Sequence, residues 1–273
     1  MKRSKMPIVT QETIRAMEDM SSFVHAQIFD DLLIVSQRET SCFVLKTIEG
    51  LIIIDAIWPD VRAYQAIINA IQEVGWNDLK IKKLVLTHGH VDHTGCGKHF
   101  VMEHNVRTYM SKIDDVFWRD NPTKPNRPDT WKDYEITDYI KEGDIITLGN
   151  KNIIVCETPG HTPGCLSYIF PVTDNGIIHM AAIFGGTTPP WTKQETYIYL
   201  NSLEHFIERC VINQVDVALS NHTAIDNGLE RIRYSKVRMD YMPNIYILGQ
   251  EGFIKYCEVF RNLGQERISN TFE

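Results

Sequence analysis

Thr87-His88-Gly89-His90-Val91-Asp92-His93-Thr94-Gly95 is the stretch on which the reading of this chain turns. Three imidazoles and one carboxylate fall within six residues, separated only by the spacers Gly89 and Val91. The run follows Ile81–Thr87, whose apolar and β-branched residues predict a strand feeding straight into it. In an extended segment residues two apart face the same way, so His88 and His90 can share one metal. Asp92 and His93 then turn toward a second metal as the chain enters a helix. Neutral imidazole and carboxylate are zinc ligands, and a catalytic site leaves one position for water. Three packed histidines without a metal would repel one another when protonated. Chance produces this pattern in only about one chain in a thousand.

Four ligands make at most one closed site, so an open two-metal site needs more. Two downstream histidines stand just after predicted strands. His161 lies in Thr158-Pro159-Gly160-His161-Thr162-Pro163-Gly164, stiffened by two prolines, and His222 lies in Ser220-Asn221-His222-Thr223. A lone histidine is more often structural than a ligand, but a strand end is where a site is built. His25, His99, His104, His179 and His205 have no such setting and read as packed or solvated.

Outward from these motifs the chain alternates short strands with helices. Strands are expected at Leu32–Val35, Cys42–Thr47 and Leu51–Asp55, with Glu49-Gly50 as a hairpin turn. Val61–Val74 carries apolar residues at helical spacing and Gly75 stops it. After a helix near Gly95–Glu103 and a strand at Arg107–Met110, residues 120–133 contain three prolines between Trp118 and Trp131 and read as a long loop. Further strands fall near Asp144–Leu148, Asn152–Glu157, Cys165–Phe170, Ile177–Ile183 and Val217–Ser220, and further helices near Tyr197–Asn213, Gly228–Arg238 and Glu251–Arg267. Each histidine-bearing loop follows a strand, which suggests an α/β (α+β) fold of two sheets face to face with helices outside, a four-layer αβ/βα sandwich. Thr10-Gln11-Glu12-Thr13 opens a short helix to about Met20. The expected organisation is an N-terminal extension over 1–30, the main domain over 31–240 and a C-terminal helical extension over 241–273 packed on it.

The order of these motifs resembles the metallo-β-lactamase superfamily, and Leu51-Ile52-Ile53-Ile54-Asp55 is similar to that family's early strand ending in a supporting Asp. The resemblance runs from about Leu51 to His222. It implies two zinc ions per chain, with His88, His90 and His161 on the first and Asp92, His93 and His222 on the second. Many family members add a bridging Asp, where this chain reads Ile183-Phe184-Gly185-Gly186-Thr187. Six ligands without a bridge is similar to the Asp-His-His subclass of metallo-β-lactamases and departs from glyoxalase II, the lactonases and the flavodiiron proteins. The implied activity is a metal-dependent hydrolase of the MBL fold. Two metals about 3.5–4 Å apart share a water whose pKa falls toward neutral, and the hydroxide attacks an amide or ester carbonyl (β-lactam, lactone or thioester-like). Asp92 is the expected catalytic residue, orienting the nucleophile, with Asp55 steadying a ligand loop. Thr187 and Thr188 are candidates to reach the site in place of the bridge. Trp58, Trp118, Trp131 and Trp191 are candidates for an apolar wall around substrate. Competing chemistries within the superfamily are a mononuclear iron oxidoreductase of the persulfide dioxygenase kind and a phosphodiesterase.

Composition bounds the rest. The chain has 273 residues, 43% apolar and 23% charged, enough to bury a sizeable core unaided. Lys and Arg total 28 against 35 Asp and Glu, a formal charge of −7 with no basic block that would seat nucleic acid. The expected partner is a small-molecule substrate, with neither nucleic acid nor membrane involved. Six cysteines without a CxxC pair read as buried thiols of a reducing compartment. Glu12, Arg15, Glu18 and Asp19 interrupt any apolar signal-peptide core over Met1 to Met20, so the expected location is cytoplasmic. Phe253, Tyr256, Cys257 and Phe260 on the last helix suggest a homo-oligomer interface.

Overall fold

The computed structural model describes residues 19–120 and 129–271. β1 (Val24–Phe29), β2 (Leu32–Ser36), β3 (Ser41–Thr47) and β4 (Gly50–Ile54) form an antiparallel meander, with Ile48 and Glu49 at the turn from β3 to β4. After helix α1 (Val61–Glu73), strands β5 (Ile81–Val85), β6 (Arg107–Met110) and β7 (Asp138–Tyr139) add in parallel, completing a seven-stranded sheet in sequence order. Helices α2 (Val91–Thr94), α3 (Gly97–His104) and α4 (Lys112–Asp120) lie in the crossovers. The second sheet has the order β12-β11-β10-β9-β8. In it β8 (Ile145–Leu148), β9 (Lys151–Glu157), β10 (Leu166–Asp174) and β11 (Ile177–Ile183) are antiparallel, and β12 (Val217–Leu219) is parallel to β11. Helices α5 (Lys193–Ile212), α6 (Thr223–Asp226), α7 (Gly228–Val237) and α8 (Gly249–Thr271) belong to this half.

The period-two alternation of side chains sorts each strand between layers. Phe43, Leu45, Ile52 and Ile54 point into the space between the sheets, where they meet Ile153, Val155, Leu166, Tyr168 and Phe170. Their neighbours Cys42, Val44, Leu51 and Ile53 point the other way, onto Ala63, Ile67 and Ala70 of α1 and Phe100 of α3. On the far side Ile169 and Ala182 pack on Tyr199, Leu203 and Phe206 of α5 and Phe253 and Phe260 of α8. The result is the expected four-layer αβ/βα sandwich. α1 starts where the Asp60 side chain accepts from Arg62 N at 2.8 Å, and its apolar stripe explains which face it buries.

Several particulars differ from the reading of the sequence. The first sheet begins at β1, inside the expected N-terminal extension 1–30; its alternation is short, with Gln27 facing out between the buried Ala26 and Ile28. The helix expected to open at Thr10 lies, up to residue 18, outside the described residues, as does 121–128 of the long loop. Trp118 and Trp131 do not wall an opening. They are buried in the outer core: α4 turns Trp118 inward, tilted against Tyr134 at 4.9 Å between ring centroids, and Trp131 packs on it at 5.9 Å. The last helix's Phe253, Cys257 and Phe260 are likewise buried against the chain's own α5, so that face is already covered. The cysteines are buried free thiols, and among the described residues no helix is long and apolar enough to cross a membrane.

Candidate metal centre

The histidine run begins where the two sheets are joined. Leu166 N at the head of β10 donates to Thr87 O at 2.8 Å, and Tyr168 Oη donates to Leu86 O at 2.6 Å. From there the chain stays extended through His88 and His90, then α2 turns Asp92 and His93 to the other side, with His90 at its N-terminus in extended backbone (ψ 152°). His161 arrives on the loop after β9, closed by Thr158 N donating to Cys165 O at 2.9 Å. His222 arrives after β12 and bridges to Thr40 at the end of the β2–β3 turn.

The six side chains fall into two groups, His88 with His90 and His161, and Asp92 with His93 and His222. Within each group the donor atoms lie within 4.8 Å of one another, and the His88 and His93 rings are 4.1 Å apart, so the groups adjoin. In the first group His88 Nε2 is 3.1 Å from His90 Nδ1, which is 3.0 Å from His161 Nε2. In the second, His93 Nε2 and His222 Nε2 are 3.1 Å apart, with Asp92 Oδ2 at 3.5 Å and 3.7 Å from them.

The outer ring nitrogens fix the tautomers. His161 Nδ1 donates to Thr188 O at 2.6 Å, His222 Nδ1 to Glu39 O at 3.2 Å and His93 Nδ1 to Asp55 Oδ2 at 2.8 Å. Thr87 Oγ1 spends its single proton on Asp55, so at 3.0 Å it accepts from His88 Nδ1. In these four rings the inward nitrogen therefore carries a lone pair, and His90 Nδ1 faces two of them. Lone pairs at such separations repel unless a cation stands among them, and an all-nitrogen and carboxylate set suits zinc. The residues fit the metal.

Electrostatics point the same way. Burial first, then the neighbouring imidazoles, hold His88 and His161 well below the usual histidine range, and burial with His93 brings His222 down to about 4. Burial alone would raise Asp92, but His93, His222 and His90 outweigh it and lower its carboxyl to about 2. His93 goes the other way: burial would lower it, but Asp92 and Asp55 outweigh that and raise it, so a divalent cation there would take the place of a proton between His93 and Asp92.

Asp55 sits behind both groups, buried and at φ 62°. Besides His93 it accepts from Thr87 N at 2.8 Å, Thr87 Oγ1 at 2.9 Å and Asn221 Nδ2 at 3.2 Å, tying the loops of His88, His93 and His222 to one carboxylate. Of the two threonines proposed to reach the site, Thr188 does so through its carbonyl, while Thr187 is buried with its carbonyl accepting from Tyr199 Oη at 3.3 Å. Trp58 is partly buried against the outer core. Gly186 explains the missing bridge: a Cβ there would collide with Cβ of His161, so no side chain fits. Asp226 is occupied by Arg231 and supplies no bridge. Thr40 was not legible as a site residue, yet it is buried and its Oγ1 donates to Asp92 Oδ2 at 3.2 Å. Its surroundings, Ser36-Gln37-Arg38-Glu39-Thr40, read only as a polar turn.

Comparison with known proteins bears on this geometry. The chain is similar to the hydroxyacylglutathione hydrolase GloC of Haemophilus influenzae, 32% identical over 110 residues that cover 36% of this chain and 49% of that protein. A hydroxyacylglutathione hydrolase of Hydrogenovibrio crunogenus is 28% identical over 182 residues, 59% of each chain. The chain thus spans about half the length of the curated relatives it matches. Among solved structures, the subclass B3 metallo-beta-lactamase BJP-1 of Bradyrhizobium japonicum superposes with a TM-score of 0.75 at 21% identity, covering 92% of this chain and 96% of that one. Rm3 metallo-beta-lactamase gives 0.77 at 19%, covering 96% and 99%. The family model of the metallo-beta-lactamase superfamily matches residues 35–174, from β2 through the histidine run to the end of β10. By that match and its fold, this chain belongs to the metallo-β-lactamase superfamily.

Proposed function

We propose that the chain is a zinc-dependent hydrolase that cleaves a carbonyl–heteroatom bond in an amide, ester or thioester. The observation that carries this reading is the convergence of inward lone pairs in two adjoining groups, with four of the five rings set by an outer partner. Two zinc ions, when bound, lower the pKa of water toward neutral and polarise a carbonyl. The chain's own residues do the rest. His88 and His90 are held by the sheet junction, and His161 and His222 are held by backbone carbonyls, so little reorganisation accompanies the reaction. Asp92 is ionised and hydrogen-bonded by Thr40, and in this reading it accepts a proton from the attacking water. Water adds to the carbonyl carbon, the C–N, C–O or C–S bond breaks, and the leaving group departs with that proton. Relatives named hydroxyacylglutathione hydrolase support including thioesters, and structural neighbours named β-lactamases support including cyclic amides.

A hydrolysis screen over β-lactams, lactones, thioesters and phosphodiesters, with metal analysis of the purified protein, tests the reading. Close to two zinc ions and turnover of a carbonyl substrate are expected; one iron and no zinc, or phosphodiester cleavage alone, would overturn it.

The absence of a bridging side chain yields a separate expectation. A bridging carboxylate would couple the affinities of the two ions, and Gly186 admits none. Limited chelator should therefore remove one ion ahead of the other, cutting activity that added zinc restores. Both ions leaving together across the titration would mean that something else in the chain couples the groups.

A further inference from the structure

The first ligand group is drawn from two loops, one bearing His88 and His90 and tied to Asp55 through Thr87, the other bearing His161 and not held by Asp55. What joins those loops is a carboxylate outside the six ligands. Asp114, in the first turn of α4, is completely buried. Its Oδ2 accepts from Gly89 N at 2.6 Å, between the two histidines of the first loop, and from Thr162 Oγ1 at 2.8 Å, next to His161. Its Oδ1 accepts from Gly164 N at 2.8 Å, further along the second loop. All three partners donate and both carboxyl oxygens accept; burial pushes the Asp114 carboxyl up, and these three bonds pull it back toward the charged form. Ser111 anchors the helix start, with Oγ accepting from Asp114 N at 3.0 Å and donating to Gly164 O at 2.7 Å. The approach is close enough that a Cβ at Gly164 would lie 2.6 Å from Asp114 N.

We infer that Asp114 is the positioning residue of the first ligand group: it clamps the His88–His90 loop to the His161 loop and so sets the zinc affinity of that group separately from the Asp92–His93–His222 group. The inference rests on the zinc reading above. Asp114 has no bond to the second group, whose loops are tied by Asp55, Thr40 and Glu39. An amide in its place offers one acceptor oxygen and presents an NH2 to at least one N–H or O–H donor, which spreads the loops.

The test is competitive zinc titration of the full chain against a chromophoric chelator, comparing wild type with Asp114→Asn, alongside thermal melts of the metal-free proteins. Asp114→Asn is expected to weaken one of the two zinc sites by roughly ten- to hundredfold, the usual effect of losing a partner behind metal ligands, and to leave the other within about threefold. Thr162→Val removes one of the three bonds without changing side-chain shape, so it should weaken the same site by a smaller factor. It also keeps the question answerable if Asp114→Asn does not fold. A merely structural role would lower the melting temperature while both affinities moved together or neither moved, and either result overturns the inference. A wild type that binds two zinc ions while the variants show no split overturns this inference alone; a wild type that binds none overturns the zinc reading with it.

Discussion

Replacing Asp92 by Asn is expected to lower kcat by roughly a hundred- to ten-thousandfold, the range for loss of a positioned general base, with KM changed far less. The carboxylate is buried with its acid strength lowered to about 2, so at neutral pH it is ionised and has an acceptor oxygen to offer. The amide keeps the shape and one oxygen, and Thr40 Oγ1 can still donate to that oxygen, so the loop stays in place. What disappears is the proton acceptor and the single negative charge of the second group. Metal content should fall by no more than one ion per chain, because His93 and His222 remain and the first group is untouched. Steady-state kinetics with metal analysis on the same preparation checks this. A variant whose kcat stays within about threefold of wild type removes Asp92 from the proton transfer.

The largest effect on stability is expected at Asp55. Asp55→Ala leaves three buried donors, Thr87 N, Thr87 Oγ1 and His93 Nδ1, without their acceptor, and takes one of two acceptors from Asn221 Nδ2, which keeps Gly185 O. Each buried polar group left unpaired costs about 1–3 kcal/mol, and an alanine at φ 62° adds backbone strain. Water entry and loop relaxation recover part of that sum, leaving on the order of 3–5 kcal/mol, as for breaking a buried ionic contact. For a chain of this size that corresponds to a fall of roughly 10 °C in Tm. Asp55→Asn tolerates the left-handed backbone and keeps one acceptor oxygen, so it should lose clearly less. Thermal melts of the metal-free proteins separate the effect from metal binding, and an Asp55→Ala variant melting within about 2 °C of wild type would contradict it.

How far the sequence carried these conclusions depends on what each residue leaves behind in one dimension. His88, His90, Asp92 and His93 were legible because extended spacing alone brings like faces together. His161 and His222 were legible through strand ends and prolines, and the strands of the inner core through their alternation. Asp114 left no such trace: an acidic residue in the first turn of a helix is common, and only the folded chain brings it between Gly89 and Gly164. Thr40 is hidden in the same way, since its partner Asp92 is 52 residues away. Trp118 and Trp131 were misplaced because tryptophan suits a rim and a core equally, and the facing of α4 decides between them. The edge strand β1 was missed because its alternation is short and carried by the small Ala26, and its first residues are only half covered.

The route by which the ligands assemble has a consequence for the protein's biogenesis. His90 meets His161 across 71 residues of chain, and His93 meets His222 across 129. Neither group exists until both sheets have formed and docked, so on the proposed zinc reading the metal arrives too late to nucleate folding, unlike the ion in a small zinc-folded module. Its effect is that of a late-binding ligand, deepening the folded state by about 2.7 kcal/mol when free zinc exceeds Kd a hundredfold. A chain synthesised under zinc starvation is therefore expected to reach native secondary structure by circular dichroism and to regain activity on adding zinc, with no refolding step between. On that reading, metal supply is expected to govern the active fraction of a standing pool rather than the yield of folded protein.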